Sequence, residues 1–172
     1  YEQGGDKKPP YDPKTGENAS IHQPETWADF ETALSQFQKK KYDGVGFVLT
    51  VDGSFAGVDF DDCRDPDTGE IQQEVGEIIE RLDSFSEISP SGAGMHTIIL
   101  GEKPNGYRNV PGIEVYSSER YFTVTGEHLK GTPTTIENRK EELQVICEEY
   151  LTENPSKQQT GFAELPEDTG NT

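Results

Sequence analysis

Apolar residues along this chain recur with two different periods. Trp27, Phe30, Leu34 and Phe37 are spaced by three and four residues, which predicts an amphipathic helix over 27–40. Thr26, with Asp29 three residues on, supplies an N-terminal capping pair, and Lys39, Lys40 and Lys41 suit the negative end of the helix dipole. Val75, Ile78, Ile79 and Leu82 form the same stripe over about 71–82, as do Leu143, Ile146, Cys147, Tyr150 and Leu151 over about 138–151. Short runs rich in Val, Ile and Phe, bounded by Gly, Pro or Ser, read as strands at 44–50, 55–61, 85–89, 95–100, 112–116 and 120–125. The first two flank Val51-Asp52-Gly53-Ser54, whose Asp-Gly pair predicts a β-hairpin. Residues 1–23, with Pro9-Pro10 and Asp12-Pro13, read as an extended or looping entry. This order predicts an α+β domain with a mostly antiparallel sheet flanked by helices.

Composition trims this picture at the C-terminal end. Hydrophobic residues are only 30% of the 172, and from Thr152 onward few large apolar groups remain to offset the entropy of ordering. The expected organisation is one folded domain over 1–151 and a polar linker or tail over 152–172. No run approaches the ~20 apolar residues of a membrane span, and no signal peptide opens the chain. Cys63 and Cys147 have no Cys or His companion at zinc-ligand spacing, so the expected address is cytoplasmic, with reduced thiols and no membrane partner. The sequon Asn18-Ala19-Ser20 is then incidental.

Thirty-three acidic residues against fifteen basic give a formal charge of -18, which opposes binding to phosphate backbones. Bound divalent metal would reverse the sign locally, and a high-salt cytoplasm would account for an acidic surface as well.

Three segments carry candidate chemistry. In Gly57-Val58-Asp59-Phe60-Asp61-Asp62, strand alternation places Asp59 and Asp61 on one face, roughly 7 Å apart at the Cα atoms, with Val58 and Phe60 toward the core. Like charges so placed repel and Asp is depleted in strands, so the arrangement suits a shared divalent cation, though a solvated turn is the plainer alternative. Asp59, Asp61 and Glu70 also fall at the first, third and twelfth positions of a calcium loop. Cys63 and Arg64 exclude that reading, because they replace an oxygen ligand and the glycine of its sharp turn.

In Ser89-Pro90-Ser91-Gly92-Ala93-Gly94-Met95-His96, Gly92 and Gly94 let backbone N–H groups approach an anion. Ser91 adds a hydroxyl, and the His96 imidazole is free to donate to a phosphate oxygen; a surface turn beside an ordinary histidine is the alternative. In the third segment Glu114 stands between the core positions Ile113 and Val115 and therefore faces the other way, and Arg120 opens the next strand with a planar fork suited to a triphosphate. Equally, Glu114 and Arg120 could pair with each other across the hairpin.

Taken in order, Asp-x-Asp closing a strand, Ser-Gly-x-Gly-x-His opening one, and a strand acid followed by Arg120-Tyr121-Phe122-Thr123-Val124-Thr125-Gly126 resemble the archaeo-eukaryotic primase superfamily. The spelling is similar to the primase-polymerase domains of archaeal viruses, plasmids and phages. Lys8-Pro9-Pro10-Tyr11-Asp12-Pro13 and the Trp27 helix resemble that family's N-terminal region, so the likeness spans about residues 7–130.

The resemblance implies a template-dependent nucleotidyltransferase, a DNA primase or polymerase or both, serving replication of a chromosomal or mobile replicon. It implies Mg2+ or Mn2+ as cofactor, held by Asp59, Asp61 and Glu114, with Ser91, Gly94, His96 and Arg120 at the incoming nucleoside triphosphate. A DNA template is the implied macromolecular partner, with Lys8, Lys40 and Arg108, together with Lys7, Lys39 and Lys41, as its candidate contacts. The family's usual aromatic-rich strand ahead of Lys8 is missing, so the N-terminus is expected to be incomplete. No zinc module or phosphate-loop motif accompanies these segments, so any helicase partner is expected to be encoded elsewhere. A non-catalytic nucleic-acid or nucleotide binding module is the alternative, and a metal-dependent nuclease would leave His96 and Arg120 without a use.

Overall fold

A computed structural model describes residues 1, 8–39 and 42–153. The chain forms an α+β structure with three helices and antiparallel strand pairs. In chain order its elements are α1 (Phe30–Gln38), β1 (Val45–Leu49), β2 (Phe55–Phe60), α2 (Gln73–Leu82), β3 (Ser86–Ile88), β4 (Met95–Leu100), β5 (Tyr107–Arg108), β6 (Ile113–Tyr116), β7 (Arg120–Val124), α3 (Lys140–Tyr150) and β8 (Thr152–Glu153).

The main sheet runs in the order β3-β4-β2-β6. Its strands alternate as their sequences require. Ala56, Val58 and Phe60 on β2, Met95 and Ile99 on β4 and Val115 on β6 all point into one core, where α2 supplies Val75, Ile78, Ile79 and Leu82 and α3 supplies Leu143, Ile146 and Cys147. Arg81 of α2 and Glu149 of α3 join the two helices at the surface through a 2.7 Å contact.

The expected hairpin between β1 and β2 does not form. The turn itself is present, with Gly53 N–H donating to the Thr50 carbonyl at 2.9 Å. The strands then separate, because both edges of β2 are taken by β4 and β6, and β1 pairs instead with β7 in a second, two-stranded sheet. Phe47 and Phe55 keep an edge-to-face contact across the divergence, with ring centroids 5.7 Å apart. The β1–β7 ribbon lies over the main sheet on the face away from α2 and α3. Gly57 makes this approach possible, since a Cβ there would come within 2.8 Å of the Phe122 ring.

Helix α1 begins three residues later than its apolar spacing suggests. Its N-cap is Asp29, whose carboxylate accepts from Thr32 N–H at 2.8 Å, while Thr26 closes a single 3-10 turn, Pro24–Thr26, that precedes an extended Trp27. No residue of α1 is buried, and Phe30 remains 64% exposed. The entry segment doubles back through a Tyr11–Asn18 bridge and a buried Asp12, and Tyr11 stacks on Tyr42. The short β5–β8 pair was not foreshadowed by any apolar run, and it carries the described chain two residues beyond the expected domain boundary. Among the described residues no helix is long and apolar enough to cross a membrane.

Candidate active site

The strand registers bring four titratable side chains into one row across the main sheet. Glu87 on β3 is paired with His96 on β4, His96 with Asp59 on β2, and Asp59 with Glu114 on β6. Each occupies the alternate position to a core residue, so all four lie on the sheet face away from the helices. This row borders a cleft of about 430 Å³ whose walls include Lys8, Asp59, Asp61, Ser91, His96 and Arg120. Asp61 stands just past the end of β2, where its N–H donates to the Gly112 carbonyl at 3.2 Å, and Asp62 turns the chain with φ 48°. Asp59 and Asp61 therefore open onto the same cleft, as their alternation predicts.

Burial raises the proton affinity of Asp59 above the usual carboxylate range. His96 opposes that shift, and the nearby Asp61 and Glu114 add to it. The site thus holds crowded negative charge with one imidazole beside it. Glu114 is engaged on its own strand and the next: its Oε2 accepts from the Tyr116 hydroxyl at 2.8 Å and lies 3.6 Å from Arg120 Nη2. The Arg120 guanidinium in turn sits over the Tyr116 ring, 4.3 Å from its centroid. Glu114 thus faces Asp59 across the strand pair and contacts Arg120 as well, as the cross-strand reading allows.

His96 is buried, and its ring is not free as its position at the start of a strand suggests. Nδ1 hydrogen-bonds Glu87 Oε1 at 3.2 Å, Nε2 lies 3.5 Å from Asp59 Oδ1, and the Phe122 ring packs against the imidazole at 4.6 Å between centroids. Glu87 escaped the reading of the sequence. It is fully buried, and Thr125 and Gly126 N–H groups both donate to its carboxylate. The signal was present, because Glu87 alternates with Ser86 and Ile88 just as Glu114 alternates with Ile113 and Val115.

The loop ahead of β4 is tied down from inside. Gly92 adopts φ 76° and its N–H donates to the Ser89 carbonyl, while its own carbonyl accepts from Arg64 Nη1 at 2.7 Å. Gly94 N–H is taken by Ser89 Oγ at 3.2 Å, and a Cβ at Gly94 would lie 2.7 Å from the Phe60 carbonyl. These N–H groups are thus spent within the loop, and Gly94 permits close packing on β2. Ser89 and Ser91, whose hydroxyl oxygens lie 2.9 Å apart, are the loop's polar residues at the cleft wall. Of the candidate DNA contacts, Lys8 lines the cleft, Arg108 lies on β5 away from its walls, and Lys7, Lys40 and Lys41 fall outside the described residues.

Asp59, Asp61 and Glu114 offer only oxygen donors, which fits a hard divalent cation in kind. Among the described residues no three ligating side chains converge on one point as they stand. Glu114 Oε2 is engaged by Tyr116 and Arg120 in this arrangement.

Fold and site together define an α+β domain with an acid-bearing antiparallel sheet beside a cleft that also presents lysine, serine and arginine. No protein-family model matches the chain. The DNA Primase-polymerase of Nitratiruptor phage NrS-1 is 33% identical to it over an alignment of 132 residues that covers 73% of this chain and 18% of that protein. The chain belongs to the primase-polymerase family. It spans less than a fifth of the length of this relative.

Proposed function

We propose that this chain carries the nucleotidyl-transfer site of a replicative primase-polymerase, with 1–151 as its catalytic domain and 152–172 as a linker. The observation that carries the reading is the row Glu87-His96-Asp59-Glu114 beside the cleft that Lys8, Ser91 and Arg120 also line. The name of the phage relative, DNA Primase-polymerase, supports the same class.

In this reading Asp59 and Asp61 would hold Mg2+ or Mn2+, joined by Glu114 when it turns from Tyr116. A divalent cation bound there supplies charge neutralisation and makes a hydroxyl easier to deprotonate. Arg120 then exchanges its contact with Glu114 for the oxygens of a nucleoside triphosphate, for which its planar fork is suited. Ser91 donates to the same phosphates, His96 turns its Nε2 edge toward the nucleotide, and Gly94 keeps the Ser91 loop close against β2. Lys8, from the entry segment, adds positive charge to the cleft wall. DNA would supply the template strand, and a helicase or other replication protein encoded elsewhere would act with it.

One observation favours a second reading, a nucleotide or nucleic-acid binding module without catalysis: Glu114 is held by Tyr116 and Arg120, so the three acids do not converge. Incubation with a primed DNA template, labelled nucleotides and Mg2+ or Mn2+ separates the two. Metal-dependent primer extension supports the enzyme, nucleotide binding without extension in either metal supports the module, and neither binding nor extension contradicts both.

A further inference from the structure

We propose that Glu87 is a positioning residue that fixes the orientation and proton placement of His96, so that Nε2 is the ring atom presented to the cleft. It deepens the functional reading above, but its first test is independent of that reading.

Glu87 is fully buried at the outer strand of the main sheet. A carboxylate in that position is costly unless its lone pairs are filled, and here they are. Oε1 receives Thr125 N–H at 3.1 Å, and Oε2 receives Thr125 N–H at 3.2 Å and Gly126 N–H at 2.8 Å. The remaining contact of Oε1 is His96 Nδ1 at 3.2 Å. A carboxylate that takes backbone donors on both oxygens offers only lone pairs to a further neighbour, so the shared proton sits on Nδ1. The opposite nitrogen, Nε2, faces Asp59 at 3.5 Å, and Phe122 closes one face of the ring. The ring can neither flip nor change its donor without breaking the Glu87 bond.

This arrangement also gives a role to Thr125-Gly126, the end of the segment that begins with Arg120. Their N–H groups clamp Glu87, and the Thr125 hydroxyl donates to the Ile88 carbonyl at 2.7 Å, so the strand carrying Arg120 is anchored to the strand that orients His96. Two side chains that line the same cleft from different sheets are thereby held in register through one buried carboxylate.

The test is nitrogen NMR of His96 in the wild type and in Glu87→Gln, which keeps shape and acceptor oxygen while placing an amide donor against the ring. In the wild type Nδ1 should carry a proton. In the variant the amide should donate to Nδ1, and the proton should move to Nε2. A bare Nδ1 in the wild type, or an Nδ1 signal unchanged by Glu87→Gln in a folded variant, overturns the proposal. Incorporation assays provide the second arm. Glu87→Gln should slow incorporation by roughly 10–100-fold, taking as a guide the loss found when the carboxylate behind a metal-bound histidine is altered. In the His96→Ala background it should cost nothing more, whereas additive losses would show that Glu87 acts elsewhere. An inert wild type would count against the enzymatic reading alone and leave the NMR result to decide the role of Glu87.

Discussion

Asp59 and Glu114 face each other as paired residues on adjacent antiparallel strands. Two acids in that relation repel, at a cost of roughly 0.2–1 kcal/mol. Asp59→Asn should therefore raise the melting temperature in metal-free buffer at neutral pH, and Mg2+ or Mn2+ should stabilise the wild type more than the variant. A variant that melts lower than wild type would mean that Asp59 supports the fold through His96.

Arg120 reaches both Glu114 and the Tyr116 ring, so Arg120→Lys is not a conservative change. Loss of one charge-assisted hydrogen bond of ~1.5 kcal/mol should raise the nucleotide KM by about tenfold. Unchanged KM and turnover would return Arg120 to a purely cross-strand role.

Burial pushes the Cys63 and Cys147 thiols up to about 11, against an ordinary value of 9.0. Because the folded values are the higher ones, their contribution to stability is complete below pH 9 and is lost as pH rises toward 11. Native protein at pH 8 should react with a thiol reagent only as fast as it opens. Rapid labelling of both thiols without unfolding would contradict their placement in the core.

With Lys8 as the lysine that lines the cleft among the described residues, DNA binding should be weak and only gently dependent on salt. Each phosphate contact adds roughly -0.7 on a single strand, or -0.9 on a duplex, to the slope of log affinity against log salt. Titration of a labelled primer-template should give a shallow slope and tighter binding with Mg2+, which offsets the carboxylates. A steep slope would require more cations at the DNA than this cleft gathers.

Much of this arrangement was legible because alternation is local. Val58 and Phe60 against Asp59, and Val115 against Glu114, follow from the strand period alone, as do the apolar stripes of α2 and α3. Pairing was not legible where it depended on competition for edges. The Asp52-Gly53 turn is real, yet β1 leaves β2 because β4 and β6 already occupy both of its sides. Likewise, nothing local to Ser91-Gly92-Ala93-Gly94 says that its N–H groups are satisfied within the loop. The role of Glu87 depends on backbone donors from Thr125 and Gly126, 38 and 39 residues away, a distance that no spacing rule reaches.

The central claim, that the two cleft aspartates serve nucleotidyl transfer, is tested most directly by primer extension with Asp59→Ala and Asp61→Ala beside the wild type, folding being checked by circular dichroism. The account predicts folded variants whose extension falls below roughly one hundredth of the wild-type rate in Mg2+ and in Mn2+. Extension near the wild-type rate by either folded variant would contradict it.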